Sequence, residues 1–97
     1  MWTVEASSRV VKQINKLPKP IRDAFYLLQA DLESFGPEAK RWANYGKMVN
    51  KKEVYHCHLN KSKPRYVAIW KVTDFNIQIM EVKYVGTHEN ADYDRFK

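Results

Sequence analysis

Cysteine and glycine are scarce in this chain, and long apolar runs are absent. Its 97 residues include one cysteine and three glycines. The single Cys57 cannot form a disulfide within the chain, so packing alone must stabilise the fold, as is usual in a reducing compartment. No stretch approaches the roughly 18–20 apolar residues that a membrane-spanning helix needs, and the N-terminus lacks the pattern of a signal peptide. We therefore expect a cytoplasmic protein with no membrane partner.

Acidic side chains are also few, since 11 acidic residues face 17 basic ones and leave a net charge of +6. A charge of this size on a chain that we expect to form one domain, residues 1–97, points to a polyanionic or acidic partner. The basic residues surround the predicted strands. We expect RNA and ribosome binding through Lys47, Lys51, Lys52, Lys61, Lys63, Lys71 and Lys83. A solvated lysine-rich surface is the alternative.

The first third of the chain predicts one strand and a helical hairpin. Residues 1–6 alternate apolar and polar side chains, as a short strand does. A first helix, capped by Ser7 or Ser8 and ended by Pro18, has a predicted apolar face of Val10, Val11, Ile14 and Leu17. A second helix begins near Pro20 and ends at Gly36. Its predicted apolar face comprises Ile21, Ala24, Phe25, Leu28, Leu32 and Phe35.

The remainder of the chain predicts an irregular segment and then three strands. Residues 38–52 read as a loop with at most a short turn of structure, whose Trp42 and Tyr45 we expect to fold over the core rather than stack on bases. Three β-prone runs follow at 54–59, 65–73 and 77–85, joined by turns at 60–64 and 73–76. The order β-α-α-β-β-β predicts an α+β fold, with the helical hairpin packed on a small, mostly antiparallel sheet.

The first of these three runs places two histidines on one strand face. His56 and His58 alternate with Cys57, so both imidazoles leave one face and the thiol leaves the other. His88 and Tyr93 follow the last run. Histidine can give or take a proton near neutral pH because its ordinary pKa is about 6.5. We expect the chemistry of the protein on the face that carries the histidines.

The helical hairpin, the strand YHCHL followed by PRYVAIWKVTD, and the ending YVGTHENADY together resemble the RelE/ParE superfamily of toxins from bacterial type II toxin–antitoxin pairs. The ending is similar to the VG-[basic]-E-x(4)-Tyr ending of ribosome-dependent messenger-RNA nucleases. The resemblance covers nearly the whole chain. It implies a RelE-like fold and a messenger-RNA interferase of the RelE/HigB/YafQ-like branch.

The resemblance also assigns positions. His88 falls where such nucleases have an arginine or a histidine, and Tyr93 falls where the RelE branch has a tyrosine near the cleaved phosphate. His56 and His58 stand where that branch has two lysines, and the Cys57-His58 pair resembles a functional Cys-His pair of the YafQ branch. These matches imply a translation-inhibiting endoribonuclease without metal or cofactor. Its implied partners are the ribosome, messenger RNA and a neutralising antitoxin.

One departure concerns the phosphate-binding arginine. Arg65 follows the proline where the YafQ branch has an aspartate, and Val67 stands where the RelE branch has an arginine. Residues two apart in a strand share a face, so Arg65 can serve the same phosphate from a shifted position.

Cleavage by attack of the ribose 2′-hydroxyl gives each residue a predicted role. His58, together with His56, lies on the side of the 2′-hydroxyl, and His88 is the acid opposite it. Arg65 binds the phosphate, and Tyr93 stacks on a base or orients the ribose. The expected products are a 2′,3′-cyclic phosphate and a 5′-hydroxyl.

Other interpretations of the same residues remain open. A ParE-like inhibitor of DNA gyrase would share the fold without the nuclease residues, and an inactive nucleic-acid-binding relative would keep only the basic surface. The three histidines could also converge on a zinc ion. In the plainest interpretation they are ordinary surface side chains.

Overall fold

The structure, a computed structural model, describes residues 1–48 and 52–91. These residues form two helices and five strands. In chain order these are β1 (Thr3–Ala6), α1 (Ser8–Asn15), α2 (Lys19–Phe35), β2 (Gly46–Lys47), β3 (Val54–His58), β4 (Tyr66–Asp74) and β5 (Ile79–Thr87). The predicted α+β class and element order are confirmed. The two-residue strand β2 is an addition, because it lies in the segment predicted to be a loop.

The strands form one sheet in the order β1-β5-β4-β3-β2. Strands β3, β4 and β5 are antiparallel neighbours, whereas β1 lies parallel to β5 at one edge. Because β1 is short, it pairs with β5 only as far as Val82. Beyond that point α1 takes its place, where the Gln13 side-chain oxygen accepts a hydrogen bond of 3.1 Å from the Val85 backbone N–H.

Helix α1 begins and helix α2 ends at the predicted signals, whereas α1 ends at Asn15, before the predicted stop at Pro18. The Ser7 hydroxyl accepts a hydrogen bond of 3.3 Å from the Val10 N–H, which makes it the cap of α1. Gly36 ends α2 with a φ of +92°, a left-handed conformation that favours glycine. A Cβ atom there would also lie 3.0 Å from Trp2 Nε1. Gly36 is therefore required both by its backbone conformation and by the indole packed against it.

Two residues of the predicted apolar faces are exposed. Val11 is 44% exposed and Phe35 is 73% exposed, so their assignment to the buried faces is wrong. Val11 follows the buried Val10 by one position, which rotates it about 100° around the helix and away from the sheet. Phe35 ends α2, where the Arg41 guanidinium lies 5.8 Å from its ring centre.

The core fills the space between the two helices and one face of the sheet. Trp70 is fully buried there, and its Nε1 donates a hydrogen bond of 3.0 Å to the Pro37 carbonyl. Tyr55 stacks between Trp70 and Tyr45, with ring centres 6.2 Å and 6.3 Å apart. Trp42 and Tyr45 both pack against this cluster, as predicted. Neither helix of the described part has the length and apolar character to span a bilayer.

Polar side chains fix the two turns of the antiparallel meander. Asn60 Oδ1 accepts a hydrogen bond of 2.8 Å from the Tyr66 N–H across the β3–β4 turn. Asp74 Oδ1 accepts the N–H groups of Asn76 and Ile77 at 2.8 Å and 3.1 Å, which confirms its predicted role in the β4–β5 turn. As a result, the end of β3, the start of β4 and the end of β5 lie side by side at one end of the sheet.

Candidate active site

Three chain segments meet where β3 ends, β4 begins and β5 ends. His58 pairs with Val67 across β4, and Val67 pairs in turn with Gly86 on β5. The His88 backbone N–H donates a hydrogen bond of 2.8 Å to the carbonyl of Arg65, just before β4. The antiparallel connections therefore bring His58, Arg65 and His88 together, although His58 and His88 are 30 positions apart in the sequence.

The imidazoles of His58 and His88 contact each other directly. Their ring centres are 5.5 Å apart and their planes meet at 73°, an edge-to-face contact. His58 is half-buried on the sheet, whereas His88 is exposed on the turn that follows β5. The pair thus combines one ring held by a strand with one ring open to solvent.

His56 extends this site along β3. It lies two residues before His58 on the same face and pairs with Gly46 of β2 and Ile69 of β4. A Cβ atom at Gly46 would lie 3.1 Å from His56 Nε2, so the imidazole rests against bare backbone. Strand β2, which sequence patterns did not reveal, therefore supplies the space that the His56 ring occupies.

Burial and neighbouring cations favour the neutral form of both strand histidines. Burial is the largest cause that lowers the pKa of His56, and the nearby His58 and His88 add to it. Burial also lowers the pKa of His58 most, followed by the charges of His88 and Arg65. Because both pKa values move down from 6.5, both imidazoles are mostly neutral at pH 7 and can accept a proton.

Cys57 lies on the opposite side of β3, as the alternation predicted. It is fully buried in the core, and burial raises the pKa of its thiol to about 12. Such a thiol is protonated at neutral pH and is a poor nucleophile or metal ligand. Within residues 1–48 and 52–91, no three His, Cys, Asp or Glu side chains form a group that could hold a metal ion.

Tyr84 belongs to the same face, although no sequence pattern marked it as a site residue. It pairs with Ile69, which pairs with His56 on the other side. Its hydroxyl donates a hydrogen bond of 2.8 Å to the Thr87 carbonyl, and burial is the main cause that raises the pKa of the phenol. The two-residue spacing of Tyr84 and Gly86 could have indicated a shared face, but only the pairing of β4 with β5 places that face beside the histidines.

The predicted basic residues occupy different surroundings. Lys61 and Lys63 are exposed in the β3–β4 turn, next to the exposed Arg65. Lys52 is exposed just before β3. Lys61, Lys63 and Arg65 make the end of the sheet beside His58 and His88 cationic, which suits a phosphate backbone, whereas Lys52 lies at the other end of β3.

The other lysines lie close to carboxylates or on the sheet. Lys47 Nζ lies 3.3 Å from Glu53, and Lys83 Nζ lies 2.9 Å from Glu81. Lys71 is half-buried on β4, where its register partners are Val54 and Glu81. Carboxylates thus offset part of the charge of Lys47, which pairs with Tyr55 of the core face, and of Lys83 on β5. Two further predicted residues, Lys51 and Tyr93, lie outside the described residues.

The helical hairpin packed on a five-stranded, mostly antiparallel sheet matches the RelE-like fold. No family model matches the chain, and no curated protein matches it in sequence. Similarity is found instead among solved structures.

Three toxin structures illustrate that similarity. A mutant of the E. coli toxin RelE in its free state superposes with a TM-score of 0.74 at 16% identity, over 98% of this chain and 92% of that one. An archaeal RelE in a RelE-RelB complex from Pyrococcus horikoshii gives 0.69 at 18% identity, over 93% and 98%. YoeB in a heterotetrameric YoeB-YefM toxin-antitoxin complex from Staphylococcus aureus gives 0.65 at 12% identity, over 91% and 98%. At these identities the similarity establishes the fold.

Proposed function

We propose that this protein is the toxin of a bacterial toxin–antitoxin pair and that it inhibits translation as a metal-independent endoribonuclease. In this proposal it cleaves messenger RNA in the decoding site of the ribosome. The observation that carries the proposal is the contact of His58 with His88, whose ring centres are 5.5 Å apart. This contact lies beside Arg65 at the cationic end of the sheet. The fold shared with RelE and YoeB toxins supports the same assignment.

The reaction needs two proton transfers and one cation. Neutral His58 accepts the proton of the ribose 2′-hydroxyl, and the 2′-oxygen attacks phosphorus. The bond from phosphorus to the 5′-oxygen breaks, and protonated His88 donates its proton to that oxygen. Arg65 neutralises charge on the remaining phosphate oxygens. The products are a 2′,3′-cyclic phosphate and a 5′-hydroxyl.

His56 and Tyr93 have supporting roles in this proposal. His56 lies beside His58 on the same strand face, where burial lowers the pKa of His56 most and the charges of His58 and His88 add to it. Its lowered pKa keeps a second positive charge away from the base at neutral pH. Tyr93 stacks on a base or orients the reacting ribose, as the resemblance implies.

The partners in this proposal follow from the positive charge of the site and from the similar structures. The phosphate groups of the ribosome and its messenger RNA contact the cationic end of the sheet, which carries Lys61, Lys63 and Arg65. A cognate antitoxin neutralises the toxin, in keeping with the RelB and YefM complexes of the similar structures.

Primer extension on a reporter messenger RNA tests this function. Purified protein is added to a bacterial translation extract, with ribosomes present or removed. Breaks spaced by codons that require ribosomes are the expected result, and His88→Ala should remove them. Asn76→Ala is the matched control, because Asn76 is exposed at the opposite end of the sheet.

Circular dichroism establishes that each variant is folded before its cleavage is compared. Intact messenger RNA, under conditions in which the folded protein arrests growth, would contradict the nuclease. A DNA gyrase supercoiling assay would then test the inhibitor interpretation directly. Unchanged cleavage by His88→Ala would refute the role given to His88.

A further inference from the structure

The peptide group that joins Thr87 to His88 is held from both sides. Its carbonyl oxygen, on Thr87, accepts a hydrogen bond of 2.8 Å from the Tyr84 hydroxyl. Its N–H, on His88, donates a hydrogen bond of 2.8 Å to the Arg65 carbonyl. The two groups belong to one planar unit, so these bonds together fix the plane from which the His88 side chain departs.

We propose that Tyr84 is a positioning residue, which holds His88 against His58 through the Thr87 carbonyl. The His58–His88 contact is a property of the folded protein, whereas the catalytic consequence rests on the proposed function. Tyr84 itself lies on the strand, two residues before Gly86, and its hydroxyl reaches the turn.

Gly86 provides the space that this arrangement needs. A Cβ atom at Gly86 would lie 2.5 Å from the Tyr84 hydroxyl oxygen and 2.8 Å from Cζ of the same ring, closer than atoms can approach. The φ angle of Gly86 is not in the left-handed region, so its backbone conformation does not require glycine. The Tyr84 ring would therefore have to move to admit a side chain at Gly86.

Tyr84 also adds rigidity that the turn alone lacks. The Thr87 carbonyl accepts a second, longer bond of 3.2 Å from the Asn90 N–H, and the His88 carbonyl accepts one of 3.2 Å from the Ala91 N–H. Those donors belong to a turn whose residues 88–90 are exposed. Tyr84 is half-buried on β5, so its hydroxyl connects this turn to the hydrogen-bonded sheet.

Tyr84→Phe tests the proposal because it removes the hydroxyl and keeps the ring. NMR spectra of the purified protein should lose or weaken the nuclear Overhauser contacts between the His58 and His88 rings. A pH titration should show the pKa of His58 rising part of the way toward its ordinary value, since burial lowers it most and the charge of the nearby His88 adds to that effect in the native protein. The kcat for ribosome-bound messenger RNA should fall roughly ten- to a hundred-fold, with KM unchanged, because a displaced catalytic group slows the chemical step.

Tyr55→Phe is the matched control. It also removes a tyrosine hydroxyl bond, of 2.9 Å to Glu53, but on the core face of the sheet. It should leave the histidine contacts, the His58 titration and kcat unchanged. An effect of Tyr55→Phe equal to that of Tyr84→Phe would overturn the proposal, because it would show a general response to lost stability.

A double substitution tests the steric part. Gly86→Ala alone should disturb the contact between the His58 and His88 rings, because its Cβ atom collides with the Tyr84 ring. In a Tyr84→Ala background the collision is absent, so Gly86→Ala should have little further effect. Equal effects of Gly86→Ala in both backgrounds would overturn the explanation for this glycine.

The two kinds of measurement separate this inference from the proposed function. Unchanged histidine contacts in Tyr84→Phe would refute the positioning role, whatever the activity. Lost contacts in a protein whose native form cuts no messenger RNA would support the positioning role and refute the nuclease. A raised KM with unchanged contacts would overturn the proposal by showing that Tyr84 binds RNA itself.

Discussion

Adjacent residues of strand β3 alternate between two faces, one in the core and one at the candidate site. On the core face, Tyr55 and Cys57 are buried against the helices, and burial makes the Cys57 thiol unreactive. On the other face, His56 and His58 are half-buried, keep access to solvent and have lowered pKa values. Burial acts on both faces, and it favours the neutral form of each group.

The degree of burial makes the consequence opposite on the two faces. A neutral thiol enclosed by apolar side chains has no chemistry left to perform. The neutral imidazole of His58 lies at the end of β3, next to the exposed imidazole of His88, and is a base that a substrate can reach. The contrast shows that one short strand can build the core and the candidate site at once, and it can be tested residue by residue.

The largest expected effect comes from His58→Ala. Loss of the proposed base should reduce the cleavage rate about 10²- to 10⁴-fold, equivalent to roughly 3–5.5 kcal/mol of transition-state stabilisation. Cys57→Ala, one residue earlier on the core face, should leave the rate per folded molecule unchanged. Single-turnover cleavage of ribosome-bound messenger RNA measures both, and equal losses in the two variants would erase the distinction between the faces.

The next effect concerns the core face. Trp70→Ala should lower the free energy of unfolding by about 3–5 kcal/mol, because Trp70 is fully buried and its Nε1 is hydrogen-bonded to Pro37. Leu27→Ala is the control, since Leu27 is 67% exposed and should change stability by only about 0.5 kcal/mol. Guanidinium chloride unfolding followed by circular dichroism gives both values. A loss below about 1 kcal/mol for Trp70→Ala would contradict the packing described for this face.

The smallest expected effect is a pH dependence set by the histidine face. The unfolded chain has ordinary histidine pKa values near 6.5, and the folded values of His56 and His58 are lower. As pH falls below about 6.5, the unfolded state binds protons first, so the free energy of unfolding decreases with a slope of at most about 1.4 kcal/mol per pH unit for each histidine. Above pH 7 this contribution is constant.

Unfolding measured between pH 5 and pH 8 checks this dependence. The His56→Gln/His58→Gln variant should have a flatter profile than the native protein over the acidic half of the range. Cys57→Ala provides the control, because its thiol does not titrate there in the folded state. Identical slopes in the native protein and the double variant would show that neither pKa is lowered by folding.

Local signals determined much of the architecture. Ser7, Gly36, Asn60 and Asp74 each end or join an element through a hydrogen bond to nearby backbone, so a few neighbouring residues were enough to predict their roles. The alternation around Cys57 likewise predicted which side chains share a face. Strand β2 escaped prediction because two residues show no period, and it exists only because β3 pairs with it.

The sequence by itself determined the order of the two helices and of the strands other than β2, the two faces of β3 and the chemical types available for a site, because period, turn residues and side-chain chemistry are local properties. Only the tertiary structure decided that His58 contacts His88, that His56 rests on Gly46, and that Tyr84 holds the peptide before His88. Those contacts depend on strand pairing and register. Register is set by the packing of the whole sheet, and no single segment of the chain contains that information.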